Sequence, residues 1–293
     1  VSVAEVTSYR RLLLDLRPGR LDRTALRAAA ELARLLDVEI LGVFVEDQSV
    51  VGAANLPFAR ELQLPARDWR PVNAERLAAE LQAAAEHARR LLLREGEAAG
   101  IGCRFEVRRG DPATTIASLC SFHDIIAVAE PGEAIERLTD TAGRVRNAAL
   151  SSEATVLLLP SRPSRSAGPI VVLIAAIDDP ALAVAARLAA TSQAPLVVVF
   201  AADGAPTSAA IHKASRAAGL PAERVEILAL GSRTVSSVLH ALDARQQRLV
   251  VMSRNGIALP DGAAARLAEE LGVPVLVIEP PPMAPRPGAP AGS

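Results

Sequence analysis

Short runs of consecutive apolar residues alternate along this chain with longer stretches in which apolar residues return every third or fourth position. The first kind suits strands buried on both faces, and the second suits helices with one buried stripe. Residues 11–16 predict a first strand. Asp22 caps a helix running to about Leu36, with Leu26, Ala29, Ala33 and Leu36 on its inner face, and residues 39–45 predict a second strand. Residues 48–72 hold Pro57, Pro65, Pro71 and the one tryptophan, Trp69, and predict an irregular insertion or lid-like loop, with room for a helical turn. Asn73 opens a long helix striped by Leu77, Leu81, Ala84, Ala85, Ala88, Leu91 and Leu92, and Gly100 is its expected C-cap. Strands at 103–108, 124–129 and 154–159 follow, with helices over 112–119 and from about 133 to 150.

Beyond residues 160–169 (PSRPSRSAGP), a stretch with linker composition, the same order restarts. Strands are expected at 170–177, 196–201, 224–230, 248–252 and 273–278. Between them lie a helix begun by Asp179-Pro180, one ending near Gly219, one that Gly231-Ser232 leads into, and one over about 263–271. An α/β unit written twice predicts two domains, 1–160 and 169–280, joined by a linker at 161–168. Strand–helix alternation of this kind predicts parallel sheet with helices on both faces. The Pro/Gly/Ala-rich segment 281–293 cannot build a core and is expected to be disordered.

Composition narrows the picture. Five Phe, one Trp and one Tyr leave the core to Val, Leu, Ile and Ala. A formal net charge of −1 provides no global field for nucleic acid or an anionic membrane. Of the 32 basic residues only Lys213 is lysine, but the arginines are dispersed among carboxylates and read as compositional bias. The longest apolar runs, 170–177 and 196–202, fall short of the ~18 residues of a membrane span. With no signal-like block at the start, a soluble cytoplasmic protein is expected. Cys103 and Cys120 are too few for a disulfide framework and are expected to be reduced.

The junctions after the strands carry a resemblance. The first half has Val107-Arg108-Arg109-Gly110-Asp111-Pro112-Ala113-Thr114-Thr115-Ile116 and then Asp124-Ile125-Ile126-Ala127-Val128. The second has Leu249-Val250-Val251-Met252-Ser253-Arg254-Asn255-Gly256 and closes with Gly272-Val273-Pro274-Val275-Leu276-Val277-Ile278. This ordered set resembles the universal stress protein family in its tandem form: a Gly-Asp-Pro-type turn, an Asp-Leu-Ile-Val-type strand, a Ser-Arg-Gly loop and a Cys-Pro-Val-Leu-Val-type ending. The resemblance covers nearly the whole chain apart from 48–72 and the tail. It implies a five-stranded, Rossmann-like sandwich per half, and an internal pseudo-dimer of the two halves through their last strands. Many members of the family bind ATP, and others do not.

Family members that bind ATP use an Asp at the end of the first strand for adenine and a Gly-x-x-Gly, nine residues, Gly-Ser/Thr loop for the phosphates. Such a loop needs free backbone N–H groups and no fixed negative charge beside them. In the second half Asp178 stands where the adenine Asp is expected, or else joins Asp179 in a helix cap. Gly231, Ser253 and Gly256 are the other candidate contacts, but the later Gly-Ser/Thr is missing and Asp261 adds repulsion. In the first half Arg17 replaces the adenine Asp, and Glu130-Pro131-Gly132-Glu133 sets two carboxylates and a missing N–H donor where phosphates would lie. Gly110, Gly132, Gly143 and Arg144 remain as first-half candidates. Arg144 and Arg146 could hold an anion by charge, or form a solvated helix face.

Other chemistry finds less support. Cys120 and His123 could place two metal ligands together, but no second pair exists, so no metal is expected. Glu46 and Asp47 lack a partner nucleophile. No Walker loop, Gly-x-Ser-x-Gly elbow or Gly-x-Gly-x-x-Gly fingerprint occurs, and neither do the His-x-Gly-His or Ser-Gly-Gly-x-Asp-Ser signatures of enzymes on similar sheets. The expectation is a stress-response or regulatory module that binds a protein partner or small ligand without catalysis, with at most weak ATP hydrolysis. The alternative is an adenine-nucleotide binder using the C-terminal half. Further association of chains into a homo-oligomer stays open.

Overall fold

The structure, a computed structural model, describes residues 8–16, 23–63, 68–129, 141–161, 165, 167–201, 208–243, 245–254, 256–257, 259–260 and 262–280. In the first half β1 (Arg11–Asp15), α1 (Arg23–Leu36), β2 (Glu39–Asp47), α2 (Gln48–Ala54), β3 (Arg60–Gln63), β4 (Asp68–Pro71), α3 (Ala74–Ala99), β5 (Cys103–Gly110), α4 (Pro112–Ser118), β6 (Asp124–Ala129), α5 (Thr141–Ser151) and β7 (Thr155–Leu159) follow in order. The second half runs β8 (Ile170–Ile174), α6 (Pro180–Thr191), β9 (Leu196–Ala201), α7 (Ser208–Ala217), β10 (Val225–Leu230), α8 (Val235–Leu242), β11 (Leu249–Ser253), α9 (Ala263–Leu271) and β12 (Val275–Ile278). The expected tail at 281–293 lies outside the described residues.

Ten of these strands form one sheet in the order β10-β9-β8-β11-β12-β7-β6-β1-β2-β5. All neighbours are parallel except β12 and β7, which pair antiparallel through Val275–Leu158, Leu276–Leu157 and Val277–Val156. Each half therefore contributes five parallel strands in the same relative order. Two apolar layers cover the sheet. One packs α1 and α6 against Leu12, Leu14, Leu157, Val172 and Leu276. The other packs residues of α4, α5, α8 and α9 against Leu13, Val156, Val250 and Val275. The repeat extends to backbone detail: α1 and α6 are each followed by a non-glycine residue with positive φ, Asp37 at 56° and Gln193 at 52°.

Local chemistry explains most element ends. Asn73 accepts a hydrogen bond from the Arg76 amide at 2.9 Å, and Gly100 ends α3 in the left-handed region. Asp111 caps α4 ahead of Pro112, as Asp179 caps α6 ahead of Pro180. The expected strand over 170–177 stops at Ile174, because the chain bends toward the Asp179 cap. Residues 48–72 are more ordered than their prolines suggest. Asp47 accepts from the Ser49 amide and hydroxyl to start α2, and β3 and β4 form an antiparallel hairpin. This insertion exposes Val50, Leu56, Phe58, Leu62 and Trp69.

Long-range polar contacts tie the two halves at the β7–β12 step. Arg254, just past β11, donates to the carbonyls of Ser152 and Ala154, both at 3.0 Å, and pairs with Glu279. The Glu279 amide donates to the Thr155 hydroxyl at 3.3 Å, and the Ser161 amide to Glu269 at 2.7 Å. Gly168 marks where the second half begins: its φ is +126°, and a Cβ there would lie 1.7 Å from the Gln246 carbonyl oxygen. No other residue type fits that approach without backbone movement.

At the opening of β6 the Asp124 side chain is fully buried. It accepts from Arg11 Nε at 3.0 Å and Nη2 at 3.2 Å, and from the Ser121 amide at 2.9 Å. Burial pushes this carboxyl up, but the bonds from Arg11 and Ser121 outweigh it and hold it below its ordinary value of 3.8. Asp124→Asn should cost about 3 kcal/mol at pH 7, because Arg11 loses its charged partner. A depressed folded value means stability present at neutral pH and lost as pH falls through it. Urea unfolding should give the same gap between wild type and variant at pH 7 and pH 5, narrowing only below the ordinary value of 3.8. A gap that does not change with acidification would show that the charge is not what matters.

Candidate functional site

In a parallel sheet the places to inspect lie beyond the strand C-termini, at the point where the strand order reverses. That point falls between β8 and β11 in the second half and between β1 and β6 in the first.

In the second half the structure brings together Asp179, Ser253 and Gly256. Ser253 ends β11 with 3% exposure, and its hydroxyl donates to Asp179 Oδ1. The same oxygen accepts from the Ala181 amide at 3.0 Å, capping α6. Gly256 folds back over the pair, its amide donating to the Ser253 carbonyl at 3.2 Å. A Cβ on Gly256 would stand 2.5 Å from Asp179 Oδ2. Burial pushes the Asp179 carboxyl up, the Ser253 and Ala181 hydrogen bonds pull it down, and burial prevails. The loop after β11 thus closes over a carboxylate already committed to a helix cap and a serine.

The buried acid of this site is Asp179, while Asp178 is exposed in the bend beside it. A cap must turn its side chain back onto the helix start, so the residue directly before Pro180 is drawn inward and its neighbour is left outside. Gly231 does not join the group. It lies past β10, an edge strand two places from β8, with open space around it. Beside it, Ser232, Thr234 and Ser237 bond to one another through their hydroxyls at the start of α8, with Ser232 and Ser237 2.6 Å apart. Asp261 lies outside the described residues.

In the first half Gly110 ends β5, and a Cβ there would meet the Thr115 hydroxyl at 2.7 Å. Asp111 follows, capping α4 through the Thr114 amide and hydroxyl, both at 2.9 Å. Those two bonds hold its carboxyl below the ordinary range, and Arg144 adds to the effect. Arg144 reaches Asp111 Oδ1 at 3.1 Å, so this guanidinium is tied to a cap. Gly143 sits half-buried in the first turn of α5. Arg17 and residues 130–133, with Gly132, lie outside the described residues. At the end of the first strand the buried acid is Asp15, which closes β1 with 5% exposure. Its signal in the sequence is an acid directly after the three leucines 12–14.

The remaining candidates have structural partners. Glu46 pairs with Arg109 at 2.9 Å. The Cys120 thiol donates to the Ile116 carbonyl at 3.3 Å, and burial pushes it up to about 12. His123 Nδ1 lies 3.2 Å from the Ser8 carbonyl. Among the described residues no group of three or more His, Cys, Asp and Glu could hold a metal ion, and no helix is long and apolar enough to cross a membrane.

No family model matches the sequence, and no curated protein matches it either. Solved structures do. A universal stress protein from Archaeoglobus fulgidus DSM 4304 superposes with a TM-score of 0.59 at 17% identity, over 92% of this chain and 96% of that one. A functionally unknown protein from Pseudomonas aeruginosa PAO1 gives 0.54 at 17% identity over 94% of each chain. A candidate universal stress protein from Pseudomonas aeruginosa UCBPP-PA14 gives 0.53 at 16%, over 93% of this chain and 94% of that one. The chain thus shares its α/β fold, with a large and mostly parallel sheet, with universal stress proteins.

A raised carboxyl in the folded state favours its protonated form, so Asp179 contributes most below the ordinary value of 3.8 and progressively less as pH rises above it. Asp179→Asn keeps the cap and discards the buried charge. Its urea midpoint at pH 7 should equal or exceed that of wild type, with any gain vanishing in acid. Ser253→Ala should instead cost about 1–3 kcal/mol at pH 7, since it strips a donor from a buried carboxylate. A strongly destabilised Asp179→Asn would refute this account of the cluster.

Proposed function

We propose that the chain is a tandem pair of universal stress protein domains, 1–160 and 169–280, acting as a cytoplasmic stress-response or regulatory module by binding and not by turnover. The observation that carries this reading is the Asp179–Ser253–Gly256 closure. A nucleotide's phosphates need unoccupied N–H donors and positive potential. The second half sets a buried carboxylate under Gly256 instead. The first half adds Asp111, and Arg144 is drawn onto it. Both nucleotide sites are, on this reading, degenerate, and the two halves form an internal pair across β7 and β12, as separate domains of the family do between chains. The fold shared with the universal stress protein of Archaeoglobus fulgidus supports the class, and the site chemistry supports the loss of nucleotide dependence.

Titration calorimetry with Mg-ATP should show no saturable binding tighter than about 1 mM, and purified protein should release no nucleotide on denaturation. Micromolar ATP binding that disappears in Asp178→Ala would establish the other reading, an adenine-nucleotide protein working through the C-terminal half.

A further inference from the structure

Among the described residues eight large apolar side chains are exposed, and five of them belong to the insertion: Val50, Leu56, Phe58, Leu62 and Trp69. Composition makes this placement telling. The chain has seven aromatic residues in all and fills its core largely with aliphatic ones, yet its single tryptophan is 59% exposed and Phe58 76%. Single surface leucines need no explanation. A Trp and a Phe in water within one short segment mark a surface that another molecule covers.

The register of the β3–β4 ribbon shows how that surface is built. Leu62 pairs with Trp69, and Glu61 pairs with Arg70. Successive residues of a strand point to opposite faces, so Leu62 and Trp69 share one face and Glu61 and Arg70 the other. Glu61 is half-buried and bonds to Arg76 at the start of α3. The polar face is therefore turned toward the body of the protein and the apolar face toward water, the reverse of a sheet laid on a core. The ribbon is a sheet of its own, separate from the ten strands, and the Val72 amide ties it off by donating to the Ala59 carbonyl at 3.1 Å. A two-stranded ribbon is marginal by itself and gains stability when its apolar face is packed.

Charge and area identify the occupant. Arg60, Glu61, Asp68 and Arg70 are two of each sign. Arg70 pairs with Asp68 at 3.1 Å, and Glu61 with Arg76. Charges settled within the chain exert no pull on an anionic membrane or a strongly charged protein, and they set up no repulsion between copies. The five exposed side chains present on the order of 500 Å². Two copies face to face would remove roughly 1,000 Å² from water, the area a specific interface needs. A two-fold contact requires a patch that matches itself, which a flat apolar face with neutral surroundings does.

We infer that the chain forms a two-fold homodimer in which the β3–β4 ribbons of two copies pack face to face, with Leu62 and Trp69 at the centre and Val50, Leu56 and Phe58 around them. The contact uses no residue of the β7–β12 step or of either switch point, so it adds a pairing between chains to the one made within the chain.

Trp69 is the only tryptophan, so its fluorescence reports this face alone. The test is sedimentation equilibrium of the full chain, with emission spectra, from about 0.1 to about 100 µM. The mass should rise from 30.6 kDa to twice that value, and Trp69 emission should move to the blue over the same concentrations. Leu62→Lys keeps the reporter and should weaken association about thirtyfold, because the substitution enters a two-fold interface twice. Phe58→Ser, in the turn ahead of β3, should weaken it about tenfold. Both variants should keep the wild-type circular dichroism. A wild-type mass of 30.6 kDa at about 100 µM would overturn the inference. So would a dimer whose Trp69 emission is unchanged by dilution, or folded variants that dimerise like wild type. A blue shift that needs added phosphatidylcholine vesicles, in a chain that stays monomeric, would assign the face to a membrane and overturn it as well.

Discussion

Every residue of β7 and of β12 is buried, and neither strand carries a polar side chain beyond Thr155. Strands of that composition cannot end a sheet, because an edge leaves backbone N–H and C=O groups unpaired beside an apolar surface. Each is the last strand of its half, so each would be an edge if its half stood alone. Their antiparallel pairing removes both edges at once and makes ten strands one sheet. The true edges look different. β5 alternates with Arg104, Glu106 and Arg108, and β10 carries Glu226, all compatible with water on one side.

Much else follows from that pairing. Reversal of direction at β7–β12 sends the strand C-termini of the two halves to opposite ends of the sheet, so their switch points cannot merge into one site. It brings one face of α1 alongside the start of β11, which places Glu31 against Arg248 across 217 residues of chain. It also puts Arg254 over the loop before β7, where it satisfies two carbonyls of the other half. A depression open to solvent at this junction is lined from both halves, by α1 and Leu157 on one side and by Arg248, Leu249 and Pro274 on the other.

The candidate sites show how far short-range chemistry reaches. Asp111-Pro112 and Asp179-Pro180 announce helix starts, and Asn73 and Gly100 bracket α3, because a cap involves only residues within three or four positions. That Asp179 is the buried acid of the pair depended on Ser253 standing opposite, 74 residues away. For Arg144 the sequence offered an anion contact or a solvated helix face, and only the fold set it beside Asp111 of another element. The insertion over 48–72 was legible as a break in the repeat, but its hairpin was hidden by prolines, one of which, Pro71, simply ends β4 at the sheet's small separate ribbon.

Outside the 48–72 insertion, the order of elements and the two-sided burial of the central strands were written in the sequence, since hydrophobic periodicity depends on the chain's own geometry. What only the tertiary structure decided was which charges meet: Asp124 with Arg11, Glu31 with Arg248, Asp179 with Ser253. Apolar burial is non-directional and can be read position by position. A charge inside a protein takes its character from partners at a few ångströms, and those distances exist only once distant segments have packed.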